Sequence, residues 1–580
     1  MAFQISPGVN VSEVDLTTII PSVLSTAGAF AGYFPWGPAQ KIVQVPDEIT
    51  LVNSFTGGMG PDSNLYIQFF TTASFLAYGN NMNLVRTIGA NSFNAQANTT
   101  GVGIQVANKD VYFADGFLQS GHGNLNGAFI SKYAGAFGNS IQVDIFDSSV
   151  SATFAAATFT SGGVTRNWNT VVTSAPGTSS YVSTLGGSND EFHIVVSDAG
   201  GLFTGVKGTI LEVWPFVSKA YDAVQNGAST YYKQFIYNNS SYILAMDPVD
   251  YANTHTTWGL TSAGTTYART AVANTTLALS GGTDDVGTDA TIENGYSLFA
   301  NKEYVDISLV LTGGYDTTVQ QYVIDNIANY RADCVAFLSP PQTSVVNQAG
   351  SESSNIITWL GTLARSTSYA VVDSGWKYMY DKYNNVYRWI PLNGDIAGLC
   401  AYTDQIRDPW YSPAGLNRGN IKNAIKLAWN PAKTYRDTLY AAGVNPVVSF
   451  PGNGIVLFGD KTLQAKPSAF DRINVRRLFI VLEKAISQAA KYSLFEFNDD
   501  FTRAQFVALV TPFLRDVQGR RGITDFQVVC DTTNNTPQVI NSNQFVGDIY
   551  IKPARSINFI QLNFVAVNTG VDFSTIINAA

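Results

Sequence analysis

The amino-acid sequence predicts an α/β (α+β) multidomain fold: a discontinuous α/β core with a β-rich insertion and extended N- and C-terminal β-strand arms. Three observations carry this. Helix-like and strand-like periodicities alternate over residues 23–90 and again over 301–500. Between them, residues 91–300 are rich in Gly, Ser, Thr, Asn and Ala, with short strand-like pieces separated by turn clusters. Both chain ends read as strands, and the first has no turn dipeptide and second strand after it to make a hairpin.

Residues 1–22 form the first arm. In SPGVNVSEVD, Val9 and Val11 alternate with Asn10 and Ser12, Val14 follows, and the β-branched run DLTTII ends at Pro21. Residues 23–90 open the core. AGAFAGYFPWGPAQKIVQV reads as strand, Pro/Gly turn and strand; from Pro61 a helix places Leu65, Phe69, Ala73 and Leu76 on one face and ends near Gly79; LVRTI (84–88) is the next strand. In the insertion, SIQVDIF (140–146) and FHIVVSD (192–198) read as strands, and WPFVSKAYDAVQNG (214–227) as a helix closed by a Gly cap.

The second part of the core, 301–500, begins with YVDISLVL (304–311) as one buried strand. A helix bearing Val319, Val323, Ile327 and Tyr330, the strand CVAFL, the helix NIITWLGTLAR and the strand SYAVVD then make a β-α-β-α-β unit, which favours a partly parallel sheet. Residues 468–492 give the longest helical pattern, with Val475, Leu478, Phe479, Leu482, Ile486 and Ala489 inward. The last segment, 501–580, holds a helix near Thr502–Arg515, where Pro512 predicts a kink or an early stop, and then strands. Its final strand alternates Ile560, Leu562 and Phe564 with Gln561, Asn563 and Val565.

At 580 residues the length suggests roughly three or four domains. Only 13% of residues are charged against 45% apolar, and a chain so poor in charge is expected to cover much of its surface, most simply with copies of itself. No run of about 18 apolar residues and no signal-like start is present, so neither a membrane span nor secretion is expected, and the protein is expected in a cytoplasm. Cys334, Cys400 and Cys530 are odd in number and far apart, and are read as small buried residues. The net charge of −9 is uneven, with seven Lys/Arg against fifteen Asp/Glu in residues 91–300. No basic block of the kind that tracks nucleic acid occurs.

Candidate chemistry is sparse. GIVLFGDKT (454–462) misses the phosphate-binding pattern because Asp460 separates Gly459 from Lys461, and its interior is bulky; a strand running into a turn accounts for it better. LTGGYD (311–316) reads as a tight turn before a helix, and GGTDDVGTD (281–289) as a solvated turn lacking calcium-loop spacing. His122, His193 and His255 are read as surface or turn residues. Asp499 and Asp500 precede a helix, where an N-cap role competes with an acid–base pair. No cofactor or metal is expected. In FDRINVRRLF (470–479), Arg472, Arg476 and Arg477 crowd a helix start, against the macrodipole, and need carboxylates. Those partners are either internal, such as Asp404 or Asp408, or on a neighbouring subunit.

Longer motifs resemble one family. DSGWKYMYDKYNNVYRWIPLNGDIAGLCAYTD (373–404), SPAGLNRGNI (412–421), FDRINVRRLF, KYSLFEFND (491–499), CDTTNNTPQVI (530–540) and IKPARSINFIQLNFVA (551–566) are similar to the tail sheath subunit of contractile-tailed bacteriophages of the T-even-like group. SPGVNVSEVD and FPWGPAQKIVQVPDEITLVNSF (34–55) resemble that family's start, and residues 91–300 depart from it. The resemblance implies a structural, non-enzymatic subunit that stacks in sixfold rings around a tail tube and contracts to drive the tube through the host envelope. It implies partners in copies of the chain, the tube, baseplate and tail terminator proteins, with no direct nucleic acid or membrane insertion, in a virion tail assembled in the host cytoplasm.

It further implies that the arm residues Val9, Val11, Val14, Ile560, Leu562 and Phe564 pair with other subunits. By the same analogy Arg503, Arg515, Arg520 and Arg521 are candidates to face the tube, with plain solvent exposure as the alternative. A phage-derived injection device of the tailocin type, and more remotely a nucleotide-using α/β enzyme, are the competing functions.

Overall fold

The strands of the central sheet come from both sides of the insertion. The computed structural model describes residues 23–61, 63, 65–97, 103–117, 127–246, 257–267 and 274–562. Strands β1 (Gly28–Gly32), β2 (Ile42–Val45) and β3 (Met82–Arg86) precede the insertion, with helices α1 (Glu48–Phe55) and α2 (Tyr66–Leu76) between the last two. Asp47 caps α1 by accepting from Thr50 N at 2.7 Å.

The insertion is built on an antiparallel sheet of β4 (Ile141–Asp147), β5 (Glu191–Asp198), β6 (Thr209–Ser218) and β7 (Asn274–Ala278), in the order β7-β4-β5-β6. Val143, Ile145, Ile194 and Val196 belong to one apolar cluster of this region, and Phe146, Val195, Phe159 and Trp168 to another. The expected helix at 214–227 is not formed: its first residues belong to β6. Pro215 and Phe216, the latter at φ +55°, lie where the pairing with β5 shifts register, so the proline sits at a bulge and does not end the strand. His193 is buried there, not at a surface or in a turn. Its Nδ1 accepts from Phe216 N at 3.0 Å and its Nε2 is 2.9 Å from Ser174 O, and burial lowers its pKa. His122 and His255 lie outside the described residues.

Helix α3 (Asp289–Ser297), within the stretch assigned to the insertion, already belongs to the core, because Ile292, Tyr296 and the following Phe299 join the main apolar cluster. The second half of the sheet then follows: β8 (Leu309–Leu311), β9 (Val335–Leu338) and β10 (Ala370–Asp373), with helical residues 317–331 before β9 and α4 (Glu352–Leu363) before β10. The strand expected over 304–311 is only three residues long; Tyr304 is exposed and residues 306–308 are held by Lys484 instead.

Beyond β10, the antiparallel β11 (Trp376–Asp381) and β12 (Val386–Pro391) lead to helix α5 (Asn393–Ile406) and to the last core strand, β13 (Val444–Asn445). The seven-stranded order is β2-β3-β1-β8-β9-β10-β13, parallel except for β2. Residues such as Phe30, Val310, Phe337 and Val372 are at most 1% exposed, as expected when helices cover both faces of a parallel sheet.

Helices α2 and α5 pack so closely that a Cβ on Gly394 would lie 2.4 Å from Thr71 O. Arg86, wholly buried, joins core and insertion by donating to Phe34 O, Gly37 O, Pro35 O and Ala134 O. Helix α6 (Ile473–Ala490) closes the larger unit, which ends at Tyr492. A second unit starts at Ser493 with helix α7 (Asp500–Gly519) and the antiparallel pair β14 (Ile523–Val529) and β15 (Asp548–Pro553). Helix α7 runs through Pro512 without the expected stop, anchored by buried Phe506, Val510, Leu514 and Val517.

Candidate assembly surfaces

The carboxyl ends of the parallel strands are where a sheet of this topology would hold a nucleotide. Here that space is filled by the chain's own side chains. Asn393, at the start of α5, donates through Nδ2 to Gly313 O (2.7 Å) and Ser339 Oγ (2.9 Å), and Ser339 Oγ donates to Asp373 at 2.6 Å. Asp373 also accepts from Gly375 N, and burial pushes its carboxyl up to about 8. Beside it Lys377 and Asp395 pair at 2.8 Å, both almost completely buried. LTGGYD is thus a closed turn whose Gly313 N–H is taken by Asn393 Oδ1.

GIVLFGDKT is equally committed. Its residues Gly454–Leu457 form a strand, Lys461 Nζ donates to Tyr440 O, and Lys461 N donates to Asn445 Oδ1. In GGTDDVGTD, Asp284 accepts from Ala136 N, and Asp285 from Asn91 N and Gly287 N. Asp499 caps α7 through Thr502 N, and Asp500 pairs with Arg503. Cys334, Cys400 and Cys530 are buried free thiols.

The three arginines of FDRINVRRLF all find partners inside the chain, the first of the two alternatives the sequence leaves open, and Asp404 is among them. Arg477 makes a two-pronged bond to Asp404 (2.8 and 2.6 Å), and it donates further to Cys400 O and Ser25 O. Both side chains of the pair are 4% exposed, so no edge of Arg477 is left for another subunit. Arg476 lies 4.4 Å from the ring centroids of Tyr369 and Phe470 and 3.7 Å from Glu483. Arg472 is 3.5 Å from Asp460 and 3.7 Å from Asp471. A helix start rich in cations is tolerated because each guanidinium meets carboxylates or ring faces.

The arginines of the C-terminal unit divide. Arg503 is 5% exposed and turned onto Asp500 and Asn498, so it is not a surface contact. Arg515, Arg520 and Arg521 are exposed, Arg520 standing 3.5 Å from Asp516. The pair β14/β15 is a sheet of two strands, with one edge of each strand unpaired among the described residues. Phe526, Val528, Ile549 and Ile551 alternate as half-buried residues with exposed Gln527, Tyr550 and Lys552.

After β15 the described chain is irregular, and Ile557, Phe559, Ile560 and Leu562 are 71–86% exposed. Val9, Val11, Val14 and Phe564 lie outside the described residues. A second exposed apolar run, Leu494, Phe495, Phe497 and Phe501, begins inside the KYSLFEFND motif.

Comparison with known proteins decides the family. The tail sheath protein of Vibrio phage KVP40 is 35% identical over 99% of each chain. This chain belongs to the phage tail sheath proteins. The sheath protein of Enterobacteria phage T4 is 32% identical, again over 99% of each chain. The phage tail sheath protein central domain matches residues 295–463, and the phage tail sheath C-terminal domain residues 465–566. The crystal structure of a sheath tail protein from Listeria innocua is similar in fold, with a TM-score of 0.50 at 10% identity over 92% of this chain and 96% of that one. Within the sheath family the unpaired strand edges and exposed apolar runs, which a monomer would find costly, become the surfaces of interest.

Proposed function

We propose that this sheath protein polymerises as sixfold rings stacked around a tail tube and contracts to drive that tube through a host envelope. The observation that carries the proposal is the two-stranded β14/β15 sheet, which packs against α7 and has two edges unpaired among the described residues, in the same chain as two arms whose sequences read as strands. An unpaired strand edge presents a row of backbone N–H and C=O groups, and strands added from neighbours would extend the sheet. The arm of residues 1–22, through Val9, Val11 and Val14, pairs with one such edge on another copy. The segment leading to Ile560, Leu562 and Phe564 supplies a second joint. Each large apolar side chain exposed in the free subunit contributes about 1.5–3 kcal/mol when fully covered. Contacts of this head-to-tail kind close into rings where the rotation between copies permits and otherwise extend along the axis, which together build a stack of rings.

No nucleotide enters this mechanism. The work comes from the difference between two packings of the same subunits, separated by a kinetic barrier, while the strand joints keep neighbours connected as the bodies slide. Exposed Arg515, Arg520 and Arg521 are assigned to the tube face. The assembly sits in a virion tail built in the host cytoplasm, with baseplate and terminator proteins at its ends. The test is a mixture of two full-length variants, Val11→Cys and Tyr550→Cys, assembled together and oxidised. A disulfide-linked dimer within tubes is the expected product; tubes that form without it remove the β14/β15 acceptor.

A further inference from the structure

We propose that Arg477, Asp404 and Ser25, with Lys484 and Ser308 beside them, form an anchor that passes tension on the N-terminal arm into helix α6 and so along the chain to the C-terminal unit. This rests on the reading above, in which each copy donates an arm and receives one. A pull between subunits then enters at residue 23 and leaves from the unit that follows α6.

The first residues after the arm are irregular, because β1 starts only at Gly28. Without a fastening, a pull would act directly on β1, which lies between β3 and β8 at the centre of the core, and would shear it out. The structure places bonds ahead of that strand. Ser25 Oγ donates to Asp404 Oδ2 at 2.6 Å, Arg477 Nη2 donates to Ser25 O at 3.2 Å, and Ser308 Oγ donates to Leu24 O at 3.0 Å.

Two cations of α6 serve these bonds. Arg477 grips Asp404 with both prongs, and Lys484 donates to Asp306 Oδ1, Ile307 O and Ser308 Oγ at 2.7–3.1 Å. They stand seven residues apart, about two helical turns, so they lie on one face of α6 some 10 Å apart. At 4% exposure the Arg477–Asp404 pair is shielded from competing water, and a planar two-pronged ion pair resists both stretching and twisting. Past Ala490 the chain continues from α6 into the unit that begins at Ser493. The crowding of positive charge at this helix, unfavourable for the helix alone, is thereby explained by a position it must hold.

The test is single-molecule pulling on the full chain. The three native cysteines are buried, so introduced ones can take the handles. One geometry uses Ala2→Cys with Leu494→Cys, which loads the arm root; the other uses Thr165→Cys with Leu494→Cys, which loads the insertion. Asp404→Asn is expected to lower the first rupture force about twofold in the arm geometry and to leave the other unchanged. Ser25→Ala is expected to act in the same direction, more weakly, and decides the matter alone if Asp404→Asn does not fold.

Equal losses in both geometries, or none in the arm geometry, overturn the anchor. Because monomers are pulled, this result is independent of assembly. Absence of the Val11–Tyr550 crosslink in formed tubes removes the acceptor reading while the directional force effect stands or falls separately.

Discussion

Replacing Lys377 by Met tests whether the filled strand ends hold the core together. Lys377 Nζ donates to Asp395 Oδ1 at 2.8 Å and to Lys422 O at 3.2 Å, and the two side chains are 1% and 0% exposed. Methionine fills similar volume but leaves the Asp395 carboxylate buried with Tyr78 OH, 3.2 Å away, as its remaining side-chain partner. Removing one partner of such a pair costs about 3–5 kcal/mol. Burial already raises the Asp395 pKa, with Lys377 pulling it back down, so loss of the lysine raises it further.

A carboxyl whose folded pKa exceeds its unfolded value binds more protons when folded, and stability falls as pH rises from the unfolded pKa toward the folded one. The Lys377→Met deficit should therefore be smallest at pH values where Asp395 is protonated in both states and should grow as pH rises above the ordinary carboxylate range. Urea unfolding followed by tryptophan fluorescence at pH 5 and pH 8 measures it, and Asp395→Leu in the same chain should recover most of the loss. A deficit below about 1 kcal/mol that does not change with pH refutes the reasoning, since it would mean that the pair is not a desolvated one.

Two further outcomes are expected. Because burial pushes the Asp373 carboxyl up to about 8, well above an unfolded carboxyl, it should cost stability progressively between about pH 4 and pH 8, by about 1.4 kcal/mol per unit. Asp373→Asn should flatten that slope in melts recorded across the range, and an unchanged slope contradicts the assignment. Gly394→Ala sets a Cβ 2.4 Å from the Thr71 carbonyl oxygen, where backbone faces backbone, and should destabilise the larger unit by about 1–3 kcal/mol in the same urea assay. A neutral result would show that α2 and α5 can separate freely.

The parallel core was legible because its strands are buried on both faces and read as apolar runs, as in VAFL and AVVD. Local pattern misled wherever packing overrode it. Pro215 disguised β6 as something other than a strand, and Pro512 suggested an end to a helix that four buried side chains carry onward. The strand at 304–311 looked longer than it is because apolar residues outside a sheet and inside one read alike.

The FDRINVRRLF arginines were recognisable as misplaced charge, and Asp404 was a named partner. Ser25 was beyond reach, because it lies 452 residues from Arg477 and only the fold joins them. The unpaired edges of β14/β15 among the described residues were equally invisible, since a sequence pattern marks strands and not their pairing. His193 lies inside the strand FHIVVSD, whose apolar neighbours marked it, but the turn-rich composition around that strand favoured a surface reading that its burial overturns.

The central claim is that these subunits join by donated strands. Its most direct measurement is electron microscopy of the purified full-length chain beside a deletion of residues 1–15, with circular dichroism confirming that both are folded. The account predicts long hollow tubes from the full-length chain and a soluble, folded subunit without tubes from the deletion. Normal tubes from the deletion would contradict it.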